Sequence, residues 1–119
     1  MPIKWSDDSS EGNYNGAQSF LSLIMSTLAA KDVVEELKAT AISKFKAKDI
    51  LRASGLKPLP ENNDNVEKHM EKIREEKEIN PMLLVRDLKN GKVIVADGYH
   101  RLSAIYMKDE DAWIHCKIV

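Results

Sequence analysis

The sequence is poor in the residues that mark several classes of protein. Its 119 residues include one cysteine, five glycines and four prolines, and 6% are aromatic. Because Cys116 has no partner within the chain, an internal disulfide is excluded, which favours a reducing cytoplasm. No apolar run approaches the roughly 18 residues that a membrane span needs, and the apolar patch over residues 20–25 follows acidic residues rather than a basic leader. We therefore expect a cytoplasmic protein with no membrane span and no signal peptide.

Charge of neither sign is in excess. Eighteen basic residues against nineteen acidic ones leave a formal charge of −1 at pH 7. A dedicated nucleic-acid-binding protein usually carries a basic surplus or a basic stripe, so this balance argues against sequence-specific DNA recognition. With 43% hydrophobic residues, the chain can fill the core of one domain but is too short for two ordinary ones.

The first third of the chain is predicted to be a flexible arm followed by helices. Residues 1–15 are polar and rich in Ser, Asp, Asn and Gly, which is typical of a loose terminal segment. Residues 16–41 form a predicted helical extension, with a second short helix over residues 31–39. The first predicted helix begins near Ala17 and buries residues at spacings of three and four: Phe20, Leu21, Ile24 and Leu28.

The middle of the chain predicts short elements around one long loop. A strand over residues 42–46 precedes a brief helix that Asp49 caps and Gly55 ends. Residues 56–65 hold two prolines and three asparagines and predict a binding loop. The next helix, over residues 64–78, is predicted to begin at an Asp64 cap and to leave His69 on a charged, solvated surface. Its predicted buried positions are Val66, Met70 and Ile73.

The last third of the chain predicts three strands and a helix. Strands are expected over residues 82–85 and 92–96, joined by a hairpin at Asn90-Gly91, and over residues 113–118. A helix over residues 99–107 separates the second of these strands from the third. The fold class is therefore α+β, with a small mixed sheet flanked by helices.

One segment contains residue types that could form a binding site. It is Asp97-Gly98-Tyr99-His100-Arg101, where a predicted strand ends and a predicted helix begins. Gly98 permits a tight turn, and the amides that open a helix attract anions. His100 and Arg101 add side-chain donors, and arginine can hold a phosphate through two hydrogen bonds. These residues predict a phosphate site, with Tyr99 either stacking on a base or packing over the turn. The alternative is an ordinary turn in which Arg101 caps a carbonyl and His100 lies at the surface.

The segment Asn80–Val119 resembles the core of the ParB/sulfiredoxin superfamily. That core has a strand after a helix, a hairpin, a Gly-x-His/Arg-Arg turn, a helix with small residues and a final strand. The matching pieces here are Pro81–Val85, Asn90-Gly91, Gly98–Arg101, Ser103-Ala104 and Ile114–Val119. The preceding helix from Asp64 and the segment Lys44–Leu51 also fit, so the resemblance covers residues 42–119 and leaves residues 16–41 as a helical N-terminal extension.

The resemblance implies a nucleotide or phosphate site at the turn Gly98–Arg101. In sulfiredoxin-like members a catalytic cysteine lies between the glycine and the histidine of the turn. That position is Tyr99 here, and Cys116 lies elsewhere, so we do not expect sulfiredoxin chemistry. The lysine and serine that those members place at the start of the preceding helix align near Asn65 and Lys68, which we expect to contribute to the phosphate site.

Two groups within the superfamily imply different functions. ParB partition proteins bind a nucleoside triphosphate with magnesium at this turn and read DNA through a following domain, which we do not expect after Val119. Free serine kinases carry an Asp-Gly-His-His-Arg turn similar to residues 97–101. The resemblance therefore implies ATP, ADP or CTP as ligand, with Mg²⁺, and phosphoryl transfer to a small-molecule substrate or nucleotide hydrolysis. The alternatives are a non-catalytic accessory protein of DNA partition or regulation, and a relic whose helical extension forms a homodimer.

Two carboxylates are candidates for catalytic roles. Asp97 could bind Mg²⁺ or act as a general base, or it could cap the helix that follows it. Glu61 lies in the loop that this fold places near the nucleotide, where a general base is one interpretation and a solvated carboxylate the other. We expect residues 57–65 to close over the ligand. Cys116 is predicted to be a small buried apolar residue.

Overall fold

The computed structural model describes residues 2–119, in which the chain forms four strands and five helices. The strands are β1 (Ser43–Lys46), β2 (Met82–Asp87), β3 (Lys92–Asp97) and β4 (Trp113–Ile118). The helices are α1 (Glu11–Leu21), α2 (Thr27–Ala39), α3 (Ala47–Ser54), α4 (Asp64–Arg74) and α5 (Tyr99–Lys108). The α+β class predicted from the sequence is confirmed. None of the helices described is long and apolar enough to cross a membrane.

The strands form one mixed sheet in the order β1-β4-β2-β3, so that β3 is an edge strand. β2 pairs antiparallel with β3 and parallel with β4, and β1 pairs antiparallel with β4. The predicted hairpin is confirmed, with Gly91 at a φ of 63° in its turn. The register shifts between Leu83, which pairs with Asp97, and Leu84, which pairs with Val95, so Ala96 forms a bulge just before the predicted phosphate turn.

The two faces of the sheet bury two separate apolar clusters, because side chains alternate along a strand. One cluster joins Leu84, Val95 and Ile114 to α3, α4 and α5. The other joins Leu83 and Val85 to α1 and α2. Residues 16–41 therefore belong to the core of the fold, since they supply most of the helical layer that covers Leu83 and Val85 on one face of the sheet.

Helix α1 begins earlier than predicted and buries a different face. It starts at Glu11 because Ser10 and Asn13 form a reciprocal capping box. Its buried residues are Tyr14, Ala17 and Leu21. The predicted buried face is wrong apart from Leu21, because the chain turns over residues 22–26 and breaks the helical spacing there. Three of its members are 42%, 53% and 71% exposed: Phe20, Ile24 and Leu28.

The remaining helix ends were predicted in part. Gly55 ends α3 in the left-handed conformation, with a φ of 71°, as expected. The caps predicted at Asp49 and Asp64 are wrong, because Lys46 and Asn63 occupy the N-cap positions. In α4 the Asn63 side chain accepts hydrogen bonds from two backbone amides, at 3.0 and 3.2 Å. The predicted buried positions of α4 are confirmed: Val66, Met70 and Ile73.

The flexible arm was predicted over residues 1–15, of which Met1 lies outside the described residues, and residues 2–10 pack against the domain. The Ser6 amide donates to the Ile79 carbonyl at 2.9 Å, and the Ile79 amide donates to the Lys4 carbonyl at 2.8 Å. The Trp5 ring stacks on the His115 ring with centroids 4.9 Å apart. These long-range contacts order residues whose own sequence carries no periodic pattern.

A buried lysine fixes the same segment to β4. Lys117 is 5% exposed, and its ammonium group pairs with the Asp8 carboxylate at 3.0 Å and donates to the Lys38 carbonyl at 3.1 Å. The Tyr14 hydroxyl donates to the same carboxylate at 2.6 Å. The hydrogen bond from Tyr14 is the largest cause that lowers the pKa of Asp8. This network ties β4, α1 and α2 together.

Candidate functional site

The predicted phosphate turn lies between β3 and α5, at the end of the edge strand. Gly98 occupies the N-cap of α5 with a φ of 116°. A Cβ atom on Gly98 would lie 2.8 Å from Met82 Cγ and 3.0 Å from a guanidinium nitrogen of Arg101. An L side chain would therefore be strained by both the backbone and its neighbours, so the turn requires glycine.

Helix α5 opens with free backbone donors. No side chain caps it, and its first internal hydrogen bond runs from the Leu102 amide to the Gly98 carbonyl at 2.9 Å. The amides of Tyr99, His100 and Arg101 consequently have no hydrogen-bond partner among residues 2–119. Such an end combines unsatisfied N–H groups with the positive pole of the helix dipole and attracts anions.

The Arg101 side chain turns into the protein rather than toward solvent. The residue is 7% exposed, and its Nη2 atom donates to Asp97 Oδ2 at 3.0 Å and to the Pro81 carbonyl at 3.3 Å. Its Nε atom is buried without a partner among the residues described. These contacts agree with the alternative interpretation of the turn, in which Arg101 binds a carbonyl.

The Asp97 carboxylate forms an ion pair with the buried Arg101 side chain. Its predicted role as a helix cap is wrong, because no side chain caps α5. Its side chain is 22% exposed, and a Cβ atom on Gly16 would lie 3.2 Å from its Oδ1 atom, so α1 crosses over the carboxylate. Residues 2–119 contain no group of three His, Cys, Asp or Glu side chains that could hold a metal ion. The magnesium ion at Asp97 stays a prediction, since magnesium in nucleotide sites is held largely by phosphate oxygens and water.

A groove of about 960 Å³ follows the free edge of β3, and we call it the edge groove. The end of α1 and the turn after it form one wall, through Phe20, Ile24 and Met25, and Ser54 and Leu56 form the other. Side chains from both faces of β3 line it, and the start of α5 closes one end. The lining residues of that end are Gly98, Tyr99 and His100. The volume is that of a small-molecule site.

The structure does not bring all the predicted site residues together. Asn65, Lys68 and Glu61 do not line the edge groove. Lys68 lies on the charged outer surface of α4, beside Asp64 and two glutamates. Glu61 borders a different depression on the same helix. The turn itself is therefore the part of the predicted site that the fold assembles.

Sequence reasoning missed His69, which was predicted to lie on a solvated surface. The ring is half-buried, and its Nδ1 atom is buried without a hydrogen-bond partner among residues 2–119. Burial, followed by the electrostatic effects of Arg101, Lys72 and His100, lowers its pKa from 6.5 to about 4. The signal was its spacing, because His69 follows the buried Val66 by three residues.

The start of the predicted binding loop is hydrogen-bonded to the first turns of α5. The Tyr99 hydroxyl donates to the Lys57 carbonyl, and the Leu59 amide donates to Ser103 Oγ at 3.0 Å. Ser103 Oγ in turn donates to the Tyr99 carbonyl at 3.0 Å. Of the two interpretations of Tyr99, these contacts agree with packing over the turn. Closure of residues 57–65 over a ligand stays a prediction.

Cys116 lies in the core, as predicted. It is 0% exposed, and burial raises the pKa of its thiol to about 12. Because a thiolate is the reactive form, this cysteine is chemically inert in the folded chain.

No protein-family model, curated protein or solved structure matches this chain. The resemblance to the ParB/sulfiredoxin superfamily therefore depends on the residues quoted for it, and the relationship stays a proposal.

Proposed function

We propose that this chain is a ParB/sulfiredoxin-like domain that binds a nucleotide or another phosphate compound at the start of α5. The observation that carries the proposal is the uncapped N-terminus of α5 at one end of the edge groove. Three backbone amides that have no partner in the described part of the chain, residues 2–119, are available there to phosphate oxygens. His100 lines the same end and adds a side-chain donor.

The rest of the edge groove supports a ligand with an apolar part. Its walls are largely apolar, through Phe20, Ile24 and Leu56, and offer contact area to a base and sugar. Arg86 and Lys92 also line the groove, and neither forms an ion pair among residues 2–119. ATP, ADP and CTP all fit this description.

Binding without catalysis is the form of this proposal that the contacts favour. Phosphoryl transfer or hydrolysis needs a group that positions or deprotonates the nucleophile. Asp97 is ion-paired with Arg101, and Glu61 lies outside the edge groove. An accessory role in DNA partition or regulation is consistent with a non-catalytic module, whereas phosphotransferase activity would need a base from elsewhere.

The proposal is tested by titrating the ¹⁵N-labelled protein with ATP, ADP, CTP and inorganic phosphate, with and without magnesium. We expect the amide resonances of Tyr99, His100 and Arg101 to shift first, because they are the free donors. The His100→Ala variant should bind several-fold more weakly, whereas His115→Ala, a histidine in a different part of the fold, should bind normally. No shift at millimolar concentrations of any of these ligands would refute the proposal.

A further inference from the structure

The hydrogen bonds of β2 determine which backbone groups of β3 are free. The Arg86 amide donates to the Val119 carbonyl at 2.7 Å, and the Val119 amide donates to the Leu84 carbonyl at 3.3 Å. Residues 84 and 86 therefore turn their backbone groups toward β4, and Val85 between them turns its own toward β3. Val85 lies opposite Ile94, so that pair exchanges hydrogen bonds within the hairpin.

The alternation along β3 then places the backbone groups of Val93 and Val95 on the outer edge. No backbone or side-chain group among residues 2–119 is hydrogen-bonded to them across that edge. Val95 is 9% exposed and Val93 is half-buried, so these polar groups lie in a partly covered position. Unpaired backbone groups in such a position are costly, and a further strand would satisfy them.

We propose that the edge groove accepts an extended peptide segment of a partner protein, which adds a strand beside β3. Every residue of β3 lines the groove, and β3 is the edge of the sheet where a new strand would pair. Apolar walls flank that edge on both sides of the sheet, so they receive the side chains that an added strand directs alternately to its two faces. This proposal goes beyond phosphate binding and does not depend on it.

The charges of the groove define the chemistry of the peptide. Near the hairpin, Arg86 and Lys92 line the groove and form no ion pair within residues 2–119, and Asp87 lines it with a carboxylate that accepts hydrogen bonds from Asn90 at 2.8 and 3.3 Å. Two positive charges and one negative charge therefore line this end, so its net formal charge is +1. A matching segment carries apolar side chains in its centre and acidic residues at its ends.

A single strand suits the groove better than the edge of a second copy. A copy of this chain would present its own β3 between the same two walls, and those walls would meet the walls of the first molecule. The dimer is nevertheless tested below, because an exposed sheet edge can pair with itself.

The probe is a fluorescein-labelled peptide of sequence Glu-Glu-Val-Thr-Val-Thr-Val-Glu-Glu. A second peptide has proline in place of the central valine, which removes a strand hydrogen bond, and a third has lysine in place of every glutamate. Fluorescence polarisation measures affinity, and amide hydrogen exchange of the protein measures pairing. We expect saturating probe to slow exchange at Val93 and Val95 at least roughly tenfold, with little change at Ile94, which is already bonded to β2.

The charge argument is tested by Lys92→Glu. This change should lower the affinity for the glutamate probe about threefold and raise the affinity for the lysine probe by a similar factor. Lys89→Glu is the matched control, because it makes the same change on an exposed turn residue that does not line the groove. Equal binding of the valine and proline peptides, unchanged exchange at Val93 and Val95, or no binding at millimolar concentration overturns the proposal. Protection that grows with protein concentration without probe would identify a second copy as the occupant and would also overturn it.

Phosphate binding has a separate readout, so the two proposals can fail independently. Inorganic phosphate should shift the amides that open α5, whereas the peptide should protect the outer amides of β3. Loss of one response with retention of the other identifies which proposal is wrong.

Discussion

Replacing Asp97 by asparagine removes the negative charge that faces the buried Arg101 guanidinium and keeps the shape of the side chain. The ion pair is 3.0 Å long, and the two side chains are 22% and 9% exposed. Breaking a buried pair from one side costs about 3–5 kcal/mol, because the remaining charge is left uncompensated. Asparagine still accepts a hydrogen bond, and water reaches part of the Asp97 side chain. We therefore expect the free energy of unfolding to fall by about 2–3 kcal/mol.

Urea unfolding, followed by tryptophan fluorescence and far-ultraviolet circular dichroism, measures this loss. Small domains have m-values of about 1–3 kcal/mol/M, so the midpoint should move down by roughly 1–2 M. Asp87→Asn is the matched control, because that carboxylate accepts hydrogen bonds from Asn90 in an exposed turn, and we expect a cost below about 1 kcal/mol.

The double variant Asp97→Asn with Arg101→Met tests the cause of the loss. If the penalty arises from a buried unpaired charge, removal of that charge should recover at least about 1 kcal/mol relative to the sum of the single changes. A cost below about 0.5 kcal/mol for Asp97→Asn, or additive single changes, would refute the argument. The Arg101 guanidinium would then be available to donate hydrogen bonds to a phosphate.

Three further predictions follow from the same region and its core. Gly98→Ala should destabilise the fold by about 3 kcal/mol in urea unfolding, because its Cβ would lie 2.8 Å from Met82 Cγ at a φ of 116°; a neutral result would contradict the described turn. His69 has a folded pKa of about 4, below its ordinary 6.5, so the unfolded chain binds the proton first as the pH falls. The contribution of neutral His69 to the free energy of unfolding should therefore be fully present above pH 6.5. It should decrease by about 2 kcal/mol toward pH 4, after allowance for the half-exposed ring, and His69→Gln should flatten this dependence. Cys116, with a thiol pKa of about 12, should react with iodoacetamide at pH 8 no faster than the protein opens, so that a labelling burst in the folded state would disprove its burial.

The last third of the chain was predictable because its signals are local. Asn90-Gly91 specifies a tight hairpin, and the strand predicted over residues 113–118 has the bounds that the structure gives to β4. Apolar strand segments on either side of such a turn are neighbours in the chain, so their pairing is indicated by the local sequence. The bulge at Ala96 was not predictable in this way, since it depends on how β2 and β3 fit together.

The first third was not predictable, because its order comes from distant partners. The stack of Trp5 on His115 joins residues far apart in the sequence, and no pattern in the residues near Trp5 predicts this contact. The spacing that suggested a buried face from Phe20 to Leu28 continues across a turn, and periodicity alone does not show where a helix ends. A local cap, Ser10 with Asn13, was the overlooked signal for the start of α1.

At the candidate site, the sequence indicated the turn but not the direction of its charged side chains. Asp97 ends β3 and Arg101 lies in the first turn of α5, so a spacing of four residues that includes the Gly98 turn separates them. That spacing favoured an ion pair as much as it favoured two separate phosphate-site residues. The structure favours the ion pair, because α1 covers the Asp97 carboxylate and the Pro81 carbonyl accepts a hydrogen bond from the Arg101 guanidinium.

Helix α1 and the turn after it, which lie outside the family resemblance, therefore build part of the site. Gly16 of α1 lies against the Asp97 carboxylate, and Phe20 and Ile24 form a wall of the edge groove. A ligand in that groove, whether a nucleotide or a peptide strand, contacts these residues as well as the turn. Its specificity consequently depends on α1 and the turn after it, so replacing Ile24 by serine should change which ligands bind while leaving the free amides of α5 intact.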